Sequence, residues 1–163
     1  MRHTISVLVE NKFGVLARVA GLFSGRGFNI ETLSVAPSLD PSTSRMTIVT
    51  RGDDAIIEQI TKQLNKLIDV IKVNDFMDDE EYVVREILMV KVNAEPDNRA
   101  EILRMTEIFR GKVLDVSPKT YTIEITGSES KLNAFLEMIK PLGLLEIARS
   151  GKVAMARGKK SLG

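Results

Sequence analysis

The sequence contains no cysteine. Disulfides, zinc–thiolate centres and thiol nucleophiles are therefore excluded, and a reducing compartment fits. Histidine occurs once, as His3 at the beginning of a strand. No histidine-rich metal site can be built from it, and no Ser-His-Asp set without it. Apolar runs stay well short of the ~20 residues that a membrane-spanning helix needs. The one in "MRHTISVLVENK" is also too short for a signal peptide, so a cytoplasmic location is expected. A net charge of +1 offers no general attraction to nucleic acid or to an anionic membrane. Aromatic residues are sparse where RNA-binding sheets of this size need them: "HTISVLVE" and "RMTIVTR" have none. Tyr82 and Tyr121 lack the surrounding glycine–aromatic motif. "GRGFNI" begins like a dinucleotide fingerprint but follows a helix and has Ile30 where the third glycine belongs, which rejects it. A catalytic set and a metal site are thus both expected to be absent.

What is present is a regular order of elements. "HTISVLVE" alternates Ile5, Val7 and Val9 against Thr4, Ser6 and Leu8, the pattern of a half-buried strand. "GVLARVAGLF" sets Leu16, Val19, Ala20 and Phe23 on one helical face, and Gly25 and Gly27 supply its left-handed stop. "NIETLSVAP" and "RMTIVTR" read as strands around the turn "SLDPSTS". Asp53 caps a helix carrying Ile56, Ile60, Leu64 and Leu67, and "VIKVNDF" is a fourth strand. The order β-α-β-β-α-β is the split-βαβ, ferredoxin-like plan. It recurs after the acidic "MDDEEY". "YVVREILMVKVNA" is a strand, and Pro96 opens a helix with Ile102, Leu103, Met105 and Phe109 inside. Gly111 ends that helix, and "KVLDVS" and "TYTIEITG" are strands. Ser128 caps a helix with Leu132, Phe135, Leu136 and Ile139 inside, and "LLEIARS" closes the order. The fold class is α+β with two ferredoxin-like domains in tandem. Residues 1–76 form the first, 77–81 an acidic linker, and 82–163 the second, with a basic tail from Arg149 that reads as solvated.

One stretch joins elements with chemistry at its ends. "VENKFGVLARVAGLFSGRGFNI" runs from a strand into a helix and out to a strand. The first N–H groups of that helix are free and favour an anion. Gly14 lets a ligand approach the backbone. Asn11 and Asn29 carry donors and acceptors, and the topology is expected to bring Asn29 near the corner. Leu16 and Ile30 offer a small apolar lining. Together these groups match the carboxylate, ammonium and side chain of an α-amino acid; the alternative is a tight turn with a helix cap.

"ENKFGVLARVAGLFSGRGFNIETLSVAP" resembles the ACT-domain signature of amino-acid sensors. With "SRMTIVTRGDD", "TEIFRGKVLDVSPKTYTIEITG" and "ARSGKVAMARG", nearly the whole chain resembles the small regulatory subunits of acetohydroxyacid synthase (acetolactate synthase). The resemblance implies a non-catalytic chain, without cofactors of its own, in branched-chain amino acid biosynthesis. Its partner would be a large catalytic subunit holding thiamine diphosphate, magnesium and FAD. The small subunit would activate that partner and confer feedback inhibition by valine. It also implies a homodimer through the ACT domains, with valine held by Asn11, Gly14, Val15 and Leu16 of one chain and Asn29 and Ile30 of the other. A free-standing amino-acid-sensing module acting on another partner is the alternative.

Overall fold

The computed structural model describes residues 1–76 and 81–163. The expected acidic linker, 77–81, lies outside the described residues apart from Glu81. The chain divides into two compact units, Met1–Val83 with Lys152–Gly163, and Val84–Gly151.

In the first unit β1 (Arg2–Glu10), α1 (Val15–Gly25), β2 (Ile30–Pro37), β3 (Thr43–Arg51), α2 (Asp54–Lys66) and β4 (Val70–Phe76) follow in order. The strands form an antiparallel sheet in the order β2-β3-β1-β4, which leaves β2 and β4 at its edges. Ile5, Val7 and Val9 of β1 pack with Val15, Val19 and Phe23 of α1 and with Ile57, Ile60 and Leu64 of α2. The Asp53 carboxylate caps α2 by accepting from the Ile56 amide at 2.9 Å, as the sequence predicts. Gly27 takes the left-handed conformation, whereas Gly25 is still helical.

Two readings of this unit need correcting. The β1 strand is not half-buried: Thr4 and Ser6, on the face away from the core, are buried too. The buried line of α1 is Val15, Val19 and Phe23, while Leu16 is 45% exposed. The apolar run is dense enough to allow two helical phases, and the i, i+4, i+8 phase is the one that meets the sheet.

The second sheet has the order β6-β7-β5-β8, from β5 (Tyr82–Asn93), β6 (Lys112–Val116), β7 (Thr120–Gly127) and β8 (Leu144–Arg149). Leu88, Val90 and Val92 of β5 and Ile123 and Ile125 of β7 pack under α3 (Arg99–Ile108) and α4 (Glu129–Ile139). Ser128 caps α4 through the Lys131 amide at 3.3 Å. Pro96 lies in a turn, and α3 begins three residues later at Arg99. Leu103 is exposed, and Thr106 takes the inner place, its hydroxyl donating to the Ile102 carbonyl at 2.8 Å. The left-handed residue after α3 is Arg110, with φ 55°. Gly111 serves a different need: a Cβ there would stand 2.2 Å from Ile125 Cδ1 and 2.8 Å from the Glu124 carbonyl oxygen. The α+β class and the paired plan are therefore as the sequence implies.

The tail is not. Lys152–Gly163, assigned from the sequence to the second domain, groups with the first unit. It contains a short strand, β9 (Val153–Ala156). Ala154 and Leu162 are buried. Arg45 donates to the Ala154 carbonyl at 2.6 Å and Lys72 to the Ser161 carbonyl at 3.0 Å. A segment read as solvated because of its charge is thus held largely by its backbone oxygens.

Candidate functional site

The turn from β1 into α1 depends on Gly14, whose φ is 82° and ψ −3°. That left-handed geometry is ordinary for glycine and costly for most other residues. No side chain caps the helix. The Val15 amide reaches only the Lys12 carbonyl, at 3.4 Å, and the first helical bond runs from the Arg18 amide to the Gly14 carbonyl at 3.0 Å. Among the described residues the amides of Leu16 and Ala17 have no hydrogen-bond partner. The helix therefore opens with unsatisfied N–H groups and the positive end of its dipole.

Asn11 stands at the edge of this opening. Its backbone amide donates to the Ser42 carbonyl at 2.8 Å, and its side-chain nitrogen donates to the Pro41 carbonyl at 3.0 Å. The amide oxygen is thereby left as the group to offer a ligand. The facing turn is fastened by Asp40, which accepts from the Ser42 amide at 2.9 Å and hydroxyl at 2.7 Å. Those bonds hold its carboxyl below the usual range.

Arg18 was not anticipated. Its Nε and Nη2 donate to Asp69 Oδ2 at 2.9 and 2.5 Å, and Asp69 is fixed in turn by the Glu10 amide donating to its carbonyl at 2.8 Å. The remaining nitrogen, Nη1, lies 3.1 Å from where a Gly14 Cβ would stand. The only trace in the sequence is an arginine four residues after the glycine, since long helical side chains lean toward the N-terminus. Its partner is 51 residues away.

Of the apolar candidates, Val15 is core and Leu16 is surface. Ile30 is half-buried against the first core, and Asn29 is exposed, its carbonyl accepting from the Thr50 hydroxyl at 2.8 Å. The expectation that Asn29 lies near the corner within one chain fails. Ile30 is in register with Thr50, and Thr50 with His3. Asn11 follows Glu10, which registers with Thr43. The seven steps from His3 to Glu10 put the two ends about 23 Å apart at ~3.3 Å per residue. One chain brings together Asn11, Gly14, Leu16 and Arg18, and carries Asn29 and Ile30 at the far end of the sheet.

The corner has unpaired amides, a guanidinium and an amide oxygen, and it lacks a nucleophile–base pair. His3 is at the other end of β1, buried, with Asp54 at 3.7 Å and Asp75 at 3.5 Å. Among the described residues no three histidine, aspartate or glutamate side chains are placed to hold a metal ion, and no helix is long and apolar enough to cross a membrane.

Residues 5–72 match the family described as the AHAS small subunit-like ACT domain, and residues 85–158 the family described as the small subunit of acetolactate synthase. The chain is similar to a probable acetolactate synthase small subunit of Archaeoglobus fulgidus, 54% identical over 160 residues, covering 98% of this chain and 99% of that one. It is 51% identical over 161 residues to the isozyme 3 small subunit of Escherichia coli, covering 98% of each. The crystal structure of the acetolactate synthase small subunit from Thermotoga maritima matches with a TM-score of 0.91 at 45% identity, covering 98% of this chain and 99% of the other.

Proposed function

This chain belongs to the family of acetolactate synthase small subunits, and from that premise we propose that it is the valine-sensing regulator of a separate catalytic subunit. In this reading it raises the activity of a large subunit that carries thiamine diphosphate, magnesium and FAD, and it makes that activity sensitive to valine. The effector carboxylate sits on the amides that open α1, the ammonium on Asn11 Oδ1, and the isopropyl group against Leu16 and Ile30.

The observation that carries the proposal is the separation of the two half-sites along one sheet. The β2 strand is an edge, and an unpaired edge favours a strand partner. Antiparallel pairing of two β2 strands about a two-fold axis lays the start of one against the end of the other. The end, Pro37, registers with Ser44, and Ser44 with Val9, two residues before Asn11. The Asn29–Ile30 end of a second copy thus arrives at the Asn11–Gly14 corner of the first. Residues about 23 Å apart in one chain become neighbours in a homodimer, and a ligand between them shifts the equilibrium by its differential affinity for the joined state.

Reconstitution tests both halves. The isolated chain is expected to form no acetolactate from pyruvate. Added to its cognate large subunit, it should raise activity several-fold, and valine should then lower it. Failure to raise activity overturns the partner assignment; activation without valine inhibition overturns the effector assignment alone.

A further inference from the structure

Ile30 and Leu33 stand three residues apart on β2, and side chains so spaced in a regular strand point to opposite faces. Here both pack against the same core. The register with β3 gives the reason. Ile30 lies opposite Thr50, Thr32 opposite Val49 and Leu33 opposite Ile48. Two steps on β2 thus match one on β3, and Glu31 is the extra residue of a bulge. Thr50 and Ile48 are two apart on β3 and share the face covered by α1 and α2. The bulge therefore turns Ile30 to the helical side of the sheet. A regular β2 would set Ile30 opposite Arg51, on the other side.

The bulge is fastened on both faces. On the helical side the fully buried Thr50 donates its hydroxyl to the Asn29 carbonyl at 2.8 Å. On the other side the Glu31 carboxylate accepts from Arg51 and from Arg2 Nε, the latter at 2.7 Å. Arg2 and Arg51 lie opposite each other on β1 and β3, so the bulged residue is tied to two inner strands.

The side to which Ile30 turns bears on the effector site. Two copies paired antiparallel through β2 are related by an axis normal to the sheet, which keeps both helical layers on one side. The amides that open α1 are on that side. Ile30 of a second copy reaches them only when it, too, is turned toward the helices.

We propose that the Glu31 bulge sets the apolar specificity of the effector site, and that Thr50 is the positioning residue that holds it. The inference rests on the valine-sensing reading and deepens it. Thr50 does not touch the ligand in this arrangement; it acts through the Asn29 carbonyl. Bulges next to binding sites commonly re-aim a side chain in this way.

Calorimetric titrations of the full chain with L-valine and with L-alanine test the assignment. The two extra buried carbons of valine should give the parent roughly a fifteenfold preference over alanine. Thr50→Val keeps the shape and removes the hydroxyl. It should weaken valine roughly fivefold, the effect of one hydrogen bond. The valine-to-alanine ratio should also narrow to about threefold, as Ile30 loses its hold on the ligand. Thr50→Ser retains the donor and should bring both values to within about twofold of the parent. Arg51→Gln loosens the bulge from the opposite face at a position 72% exposed, and should narrow the ratio in the same direction. A ratio unchanged in Thr50→Val and Arg51→Gln overturns the positioning role, since a general structural loss weakens both amino acids alike. Valine affinity in Thr50→Val equal to that of the parent also overturns it and leaves the effector assignment standing. Absence of valine binding by the parent overturns the effector assignment and this inference with it.

Discussion

Gly14→Asp places a carboxylate at the one position where the opening of α1 is bare. Three effects can be separated. Holding a non-glycine residue at φ 82° costs roughly 1–2 kcal/mol of folding stability. The steric cost is small, since the new Cβ meets only Arg18 Nη1 at 3.1 Å, the end of a flexible chain. The electrostatic effect on the ligand is larger. An aspartate ~4 Å from a bound carboxylate, at an effective dielectric of ~20, repels it by roughly 4 kcal/mol, about a thousandfold in affinity. It also accepts from the Leu16 and Ala17 amides and competes with Asp69 for Arg18. The reconstituted enzyme should therefore remain activated but resist valine. Gly14→Ala is the control, because it carries the same backbone cost without the charge. Titrating both variants with valine, alone and in the holoenzyme, decides the matter. Full valine sensitivity in Gly14→Asp refutes the ligand placement. Equal loss in Gly14→Ala shows that backbone geometry, not charge, sets affinity.

Gly111→Ala should destabilise the second unit by about 1–3 kcal/mol through overpacking, because the backbone carbonyl of Glu124 at 2.8 Å cannot swing aside; an unchanged urea midpoint would contradict this. Glu31, on β2, accepts from Arg51 and from Arg2 Nε, the latter at 2.7 Å. The Arg51 bond, with the Arg2 bond and the charges of both arginines adding to it, holds its carboxyl below the ordinary range against the opposing effect of burial. A lowered pKa means that the stability contribution is complete above the unfolded value of ~4.3 and is lost as pH falls through the folded one. Glu31→Gln should accordingly melt lower than the parent at pH 7, with the gap closing below pH ~4; a gap independent of pH would sink the assignment.

Much of the fold was legible because local signals agree with it. Asp53 and Ser128 are caps with a hydrophobic repeat directly behind them, so the starts of α2 and α4 needed no tertiary information. The inner face of α1 was not legible. Val15, Leu16, Val19, Ala20, Leu22 and Phe23 populate two adjoining stripes, and only packing on the sheet selects one. Pro96 misled because proline suits a turn as well as a first helical residue. The short strand β9 was hidden in a basic, glycine-flanked segment whose partners are distant in the chain. At the candidate site, the placing of Gly14 and Asn11 at the strand-to-helix junction was legible. Arg18 acquires its place from Asp69, and the separation of Asn29 from Asn11 is a matter of strand register, which composition does not encode.

The return of Lys152–Gly163 to the first unit gives the molecule an order of assembly. Synthesis from the N-terminus delivers the whole of Val84–Gly151 before the segment that completes Met1–Val83. Until then Leu8, which Gly163 approaches, and the Arg45 and Lys72 side chains lack their final neighbours. The first unit is therefore finished last. A fragment cut after residue 83 lacks the segment that completes the unit, although it retains Asn11, Gly14, Leu16 and Arg18 of the candidate corner.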